Sequence, residues 1–541
     1  MTGRMQLSRR FQRPTGGGVA LAACLAVALA LRTATTALLP NQIWPDEVFQ
    51  TVEPAHGLAF GTWLPSWEWV VGIRSWLVPG LLMPELWIGD LLDPGRHFGT
   101  APVTAVMLLL SLIPVIVGYL WGERTGGPAG GLVVGGVCAV WVDLVYLAPH
   151  PLTDIFASHT LLLALYAAFA VPQSHGARRL FLAGALLGLS VYLRMQLGPV
   201  AAVVAVFASG TKPMRWRALL IGGGATVALL GGVDWVTLGT PFQSIWLNFY
   251  YNIIAKVSST YGTESPLFYF RGLLAVWGPA APFILVLAYF GARRWPQLFW
   301  VSFTIIVTQS MVAHKEWRFI FPAIAPMIIL CSLQIVACLP RIEARFGLSG
   351  LGKAAPVVIC LAATAAISAI GSSSPIYRAF WTRDRPVIKA FNFVARQGGV
   401  CGVGILFPLE RKDTPQTYDW VGGMGSAALP RGTPQYAAVP TANGTSRSSY
   451  NWAVIDRLAP SPPAPFHRVK CFGDDSGQSG PDAGLACVWT RTGGCDASTA
   501  VQPAINWPAY FVDDRGQVRK DRLQPRVLGM TPPLHLFGKA L

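Results

Sequence analysis

Repeated windows of roughly 20 residues with almost no charge constrain this chain more than any other feature. A helix rises about 1.5 Å per residue, so such a window covers about 30 Å of hydrocarbon. Apolar segments near 19–39, 101–121, 129–149, 152–171, 179–193, 196–209, 217–237, 272–292, 296–312, 317–338 and 353–371 predict about eleven crossings. The two halves of 179–209 are short, which leaves that count open by one or two. Membrane strands alternate in polarity, and these windows do not, so a barrel is not expected. With 13% of its 541 residues charged, the chain is an all-α polytopic membrane protein rather than a soluble enzyme.

A net charge of +16 raises the question of nucleic acid. The basic residues are scattered through short loops instead of forming a stripe, so no nucleic-acid partner is expected. Membrane orientation accounts for them. With a cytoplasmic N-terminus, Arg124, Arg178 with Arg179, Lys212 with Arg215 and Arg217, Arg293 with Arg294, and Arg341 with Arg345 all fall inside, as the positive-inside bias asks. The outer side then receives 40–100, the His150–Asp154 turn, Arg194, the 239–271 loop, the His314–Glu316 turn and everything after about 375. The stretch Val19–Leu39 follows Arg4, Arg9, Arg10 and Arg13 and contains Arg32; it reads as a retained signal anchor rather than a cleaved signal peptide.

Two regions follow: a transmembrane catalytic domain over 1–374, with 40–100 as its first outer loop, and a soluble outer domain over 375–541. The second is rich in Gly, Pro, Ser and charge, with short apolar runs at 400–406 and 452–455. It is expected to be a small α/β or irregular fold. Cys401, Cys471, Cys487 and Cys495 lie there, and an oxidising compartment would pair them as two disulfides, in any of three connectivities. Their spacing is not that of a zinc site.

Polar clusters gather on the predicted outer side. Asp46 and Glu47 follow Pro45, and Glu68 and Arg74 lie among Trp63, Trp67, Trp69, Trp76 and Trp87, whose rings suit helices lying along the interface near 68–92. From spacing alone Asp46 serves equally well as a helix cap. His314, Lys315 and Arg318 share a face if their segment is helical, so their donors would converge on one anion. Basic residues that snorkel at a boundary are the plain alternative. Against it, this cluster lies on the side that basic residues avoid. Arg194, Asp154 and Asp234 stand at helix edges, where a charge faces either a cavity or a buried partner.

Four separated stretches, PDEVFQTVEPAHGLAFG from Pro45, SWEWVVGIRSWLVPGLL from Ser66, LNFYYNIIAKVSSTYGTESPLFYF from Leu247 and HKEWRFIFP from His314, resemble the lipid-linked-sugar mannosyltransferases. That family includes the GPI-anchor and dolichol-linked-oligosaccharide mannosyltransferases, and the GPI-anchor branch is the nearer. The resemblance covers about 19–340. It implies a GT-C glycosyltransferase fold whose first outer loop supplies the catalytic carboxylate. It also implies a polyprenyl-phosphate sugar donor, inversion at the anomeric carbon, and no metal or other cofactor.

Inversion needs one displacement and so one carboxylate base. Asp46 is the expected base and Glu47 its rival. His314, Lys315, Arg318 and Arg194 are the expected donor-binding groups, since placed cations stabilise a departing phosphate. Glu68, Arg74, Asp154 and Asp234 are expected to bind the acceptor or orient the loop. The partners are then a polyprenyl-phosphate sugar, most simply mannose, a glycan or glycolipid acceptor, and membrane lipid. In a bacterium the setting would be the cytoplasmic membrane, with the site on its outer side. A transporter or flippase of a lipid-linked sugar is the competing reading, but it calls for internal symmetry that the chain does not display.

Overall fold

The computed structural model describes residues 17–42, 44–93, 99–170, 176–382, 385–406, 425–437, 449–456, 462, 464–473, 486–496, 508–511 and 519–523. Among these, every regular element before Val403 is helical. After α1 (Gly17–Leu38), the 40–100 segment carries α2 (Glu53–Phe60), α3 (Trp67–Val71) and α4 (Leu77–Leu92). The bundle continues with α5 (Ala101–Leu110), α6 (Ile113–Val140), α7 (Val142–Tyr146), α8 (Thr153–Phe169), α9 (Ala177–Leu193), α10 (Gly198–Ser209) and α11 (Pro213–Leu238). After it come α12 (Gln243–Phe249), α13 (Phe268–Trp277), α14 (Ala281–Ala292), α15 (Pro296–Met311), α16 (Phe321–Arg345), α17 (Ala355–Ser372), α18 (Pro375–Thr382) and α19 (Arg385–Ala395).

Six helical runs among the described residues have the length and apolarity to cross a membrane: Gly17–Leu38, Ala101–Val140, Pro213–Leu238, Phe268–Ala292, Trp317–Arg345 and Ala355–Ser372. Thr153–Phe169 and Met195–Ser209 are shorter apolar helices. The count of eleven is therefore not reproduced by length. One reason is that α6 folds back on itself. Gly127 takes a left-handed φ of 67°, and beyond it the two limbs run side by side. A Cβ on Gly118 would lie 3.0 Å from the Cys138 sulfur, and one on Gly122 would strike the Gly130 carbonyl. Glycine lets the limbs approach at the distance membrane helices need when van der Waals contact drives their association. A similar approach joins α9 to α11, where Gly184 and Gly222 meet opposing backbone. The stretch 179–209 breaks at Arg194, whose extended backbone (φ −142°, ψ 93°) separates α9 from α10.

Arg32 in α1 is fully buried. Its guanidinium donates to the Cys138 and Ala139 carbonyls, each at 3.1 Å. Those carbonyls are left open where α6 ends and Trp141 turns extended, and a cation there also suits the helix dipole.

Beyond α19 the sheet comprises β1 (Val403–Leu406), β2 (Gln435–Ala437), β3 (Trp452–Asp456), β4 (His467–Phe472) and β5 (Ala486–Thr490), in the order β2-β1-β3-β5-β4. β1 runs parallel to β2 and β3, and β5 is antiparallel to β3 and β4. Phe391 and Val394 of α19 pack on Val403, Ile405, Val454 and Val488. Cys401 pairs with Cys495, and Cys471 with Cys487, which stand opposite each other across β4 and β5.

Candidate active site

Pro45 opens the segment that carries Asp46 and Glu47. Its carbonyl accepts the Val48 and Phe49 amides, and a π-helical turn over Val48–Val52 leads into α2. Such turns are uncommon and recur at functional sites. Neighbours on a helical turn point about 100° apart, and Asp46 and Glu47 diverge accordingly. Glu47 turns inward: its carboxylate lies 2.5 Å from His150 Nδ1 and accepts the Trp44 amide at 3.1 Å. Asp46 pairs with Arg318 Nη2 and keeps 26% of its side chain exposed, against 6% for Glu47.

Arg318 is the hub. Its Nε donates to Glu316 at 2.6 Å, and its Nη1 stands 3.6 Å from Asp154. Asp154 is also held bidentately by Arg194, with Nε at 2.5 Å. The break between α9 and α10 is what brings Arg194 to the start of α8. Glu68 and Arg74 pair at 2.5 Å, and Gln50, one turn after Asp46, donates to Glu68 at 3.3 Å. Burial raises the Glu68 carboxyl and the Asp46 charge adds to this, against the pull of Arg74. For Glu316 burial also opposes ionisation, but Arg318 and His314 override it and hold the carboxyl well below its usual range.

The expected convergence of His314, Lys315 and Arg318 on one face does not occur. The segment leaves α15 extended at Val312 (ψ 139°) and stays extended at Glu316 (φ −133°, ψ 149°), so helical spacing does not apply to it. His314 lies 3.0 Å from Glu316 and 2.9 Å from the Gly262 carbonyl. Its imidazole is disfavoured as a cation by burial, but the Glu316 contact outweighs this and raises its pKa. Lys315 donates to the Val312 carbonyl and to that of Glu264 at 3.0 Å, which closes the open end of α15. Asp234 also stands apart from the Arg318 network. It is fully buried and accepts the Ser244 amide at 3.0 Å and the Ser244 hydroxyl at 2.6 Å.

An open cleft of about 570 Å³ runs beside this network. Arg74, Arg194 and Gln50 line its polar part, and Leu77, Val78 and Ile245 its apolar part. Among the described residues, Arg74 Nε and Arg318 Nη1 are buried without a hydrogen-bond partner. Buried donors are costly while they stay unpaired. Gln50 carried no signal in the sequence beyond its position one turn after Asp46. Glu316 was visible only as a charged member of the HKEWRFIFP stretch, and His150 only in the turn before Asp154.

Residues 24–372 match the Alg9-like mannosyltransferase family. The chain belongs to this family. Membership makes it a membrane glycosyltransferase of the mannosyltransferase class, as the four motifs implied. GPI mannosyltransferase 3 of Yarrowia lipolytica is 26% identical over 71% of this chain and 72% of its own length. The Drosophila melanogaster GPI mannosyltransferase 3 is 29% identical over 61% of this chain, and the Homo sapiens GPI alpha-1,2-mannosyltransferase 3 is 23% identical over 57%. The chain spans 58% and 56% of the lengths of those two. ArnT from Cupriavidus metallidurans shares the fold. Its apo structure gives a TM-score of 0.54 at 13% identity, over 90% of this chain and 100% of that one. The form bound to undecaprenyl phosphate gives 0.53.

Proposed function

We propose that the protein transfers mannose, with inversion, from a polyprenyl-phosphate donor to a hydroxyl of a lipid-linked or cell-envelope glycan. Asp46 is the base. The observation that carries this reading is a partly exposed carboxylate joined through Arg318 to a cleft with guanidinium groups on one part and apolar side chains on another. An amphipathic donor has the same division, phosphate beside prenyl chain. The bound lipid of the ArnT neighbour is of that class.

The acceptor oxygen attacks the anomeric carbon as its proton passes to Asp46. The bond from that carbon to the phosphate oxygen breaks, and its electron pair leaves on the phosphate. Arg74, Arg194 and Arg318 stabilise that growing charge. Glu47, tied to His150 and the Trp44 amide, holds the turn that presents Asp46. His314 and Lys315 act indirectly in this reading: His314 orients Glu316, and Lys315 closes α15. Asp154 and Glu68 orient Arg194 and Arg74, and Asp234 holds Ser244 at the wall of the cleft.

The site and the C-terminal domain face the outer side of the membrane. Two disulfides in that domain support this, because such bonds persist in an oxidising compartment.

The test is incubation of purified protein in vesicles with radiolabelled polyprenyl-phosphate mannose and a glycolipid extract of the source membrane. Wild type should label a glycolipid and Asp46→Asn should not. Near-normal turnover by Asp46→Asn removes Asp46 as the base, and no labelling by wild type removes the donor assignment.

A further inference from the structure

Glu53 takes no part in the chemistry above, yet its side chain is fully buried. A carboxylate in such a place is costly unless donors surround it. Three do, one from Leu64, 11 positions along, and two from Ser426, 373 positions away. The Leu64 amide donates to Oε1 at 2.7 Å. The Ser426 amide donates to Oε2 at 2.5 Å, and the Ser426 hydroxyl to Oε1 at 2.7 Å. Gly425 makes the approach possible. It adopts φ +70°, and a Cβ on it would lie 2.5 Å from Glu53 Oε2 and 2.7 Å from a methyl of Val48. Glycine alone reaches that conformation without strain and leaves that space.

Glu53 is the first residue of α2, continuous with the π-helical turn that begins after Asp46 and Glu47. Within that run the Thr51 hydroxyl donates to the Glu47 carbonyl at 2.6 Å, and Trp69 Nε1 to the Phe49 carbonyl at 2.8 Å. The run is therefore knitted at several points, and one of them belongs to the C-terminal domain. A second contact grips the other part of the first loop. Phe511, fully buried, packs with tilted rings 5.1 Å from Trp67 and 5.2 Å from Tyr251, whose hydroxyl donates to the Arg522 carbonyl. Trp67 precedes Glu68.

We propose that Ser426 and Glu53 are positioning residues for glycosyl transfer: the C-terminal domain, through Ser426, holds Glu53 and so sets the helical run that presents Asp46 to the acceptor hydroxyl. This rests on Asp46 being the base. It gives the C-terminal domain a direct part in turnover. Misplacement of a reacting group by about 1 Å costs about a hundredfold in rate, so loosening one anchor of this run should lower turnover and leave donor binding largely alone, because the guanidinium groups stand on other elements.

The experiment uses the full-length protein in vesicles with radiolabelled polyprenyl-phosphate mannose and the same glycolipid extract. Turnover, donor KM and the thermal unfolding midpoint are measured for wild type, Ser426→Ala, Ser426→Thr, Glu53→Gln and Asp46→Asn. Ser426→Ala and Glu53→Gln should lose about ten- to a hundredfold in turnover, with donor KM within about twofold and an unfolding midpoint near that of wild type. Ser426→Thr, which keeps both donors, should recover most of the loss. Turnover within about twofold of wild type in Ser426→Ala and Glu53→Gln, with Asp46→Asn inactive, overturns this proposal and spares the base. A loss matched by a lowered midpoint and not recovered by Ser426→Thr also overturns it, since the contact then serves folding alone. An active Asp46→Asn overturns the base itself.

Discussion

Raising the pH from 5 to 8 should loosen the contact between Glu53 and Ser426. Burial pushes the Glu53 carboxyl up from 4.5 to about 7, while the Ser426 hydroxyl and amide and the Leu64 amide pull the other way. Released into water, the same group titrates near 4.5. Between these values the docked form binds more protons than the released form, so the contact is strongest below pH 4.5, weakens as the pH rises to about 7, and is level above that. At about 1.4 kcal/mol per pH unit the full interval is worth about 3 kcal/mol. From pH 5 to 8 most of it is lost, about a fiftyfold or greater rise in the open fraction. The assay is hydrogen exchange, corrected for intrinsic rate, at the Leu64 and Ser426 amides, both of which donate to Glu53. His56 on the same helix is pushed below 6.5 by burial and contributes with the opposite sign. Glu53→Gln keeps His56, so the difference between wild type and Glu53→Gln isolates the carboxylate. The same change in opening free energy between the two pH values in Glu53→Gln as in wild type would refute the reasoning.

Arg74→Gln and Arg194→Gln should each weaken donor use, by about tenfold or more in turnover over donor KM, since each removes a charged donor from the cleft; steady-state titration of the donor checks this. Lys315→Ala should change donor KM little and instead lower the thermal midpoint, because the ammonium is spent on the Val312 and Glu264 carbonyls. Replacing Arg32 with Met should destabilise the bundle by about 3 kcal/mol, through two buried carbonyls left without donors, measured by unfolding in detergent. Mass spectrometry of non-reduced peptides should recover Cys401 linked to Cys495 and Cys471 linked to Cys487, and four free thiols in protein from the native membrane would contradict both pairs and the outer location.

Some of this is legible in one dimension because the signal is local. A run such as 355–372 is apolar enough to enter a bilayer whatever surrounds it, and four motifs in order identify the family before any contact is known. The site is partly local as well: Asp46 and Glu47 are neighbours, and helical spacing already says that one of them must turn away. Which one turns depends on His150, brought beside Glu47 from 103 positions along the chain. Spacing misled at His314, Lys315 and Arg318 because it assumes a helix, and the backbone there is extended until Trp317. The reversal within α6 was legible by contrast, because Glu123 and Arg124 interrupt its two apolar windows; what the structure adds is that Gly127, with a left-handed φ, makes the turn. The sequence by itself determined a helical membrane protein of the mannosyltransferase class, since hydropathy and motif order are properties of short segments. Only the tertiary structure decided that Arg318 serves Asp46, that Lys315 closes a helix, and that Ser426 reaches Glu53 across 373 positions. Ion pairs and buried hydrogen bonds are settled by distances of about 3 Å in space, and separation along the chain carries no measure of them.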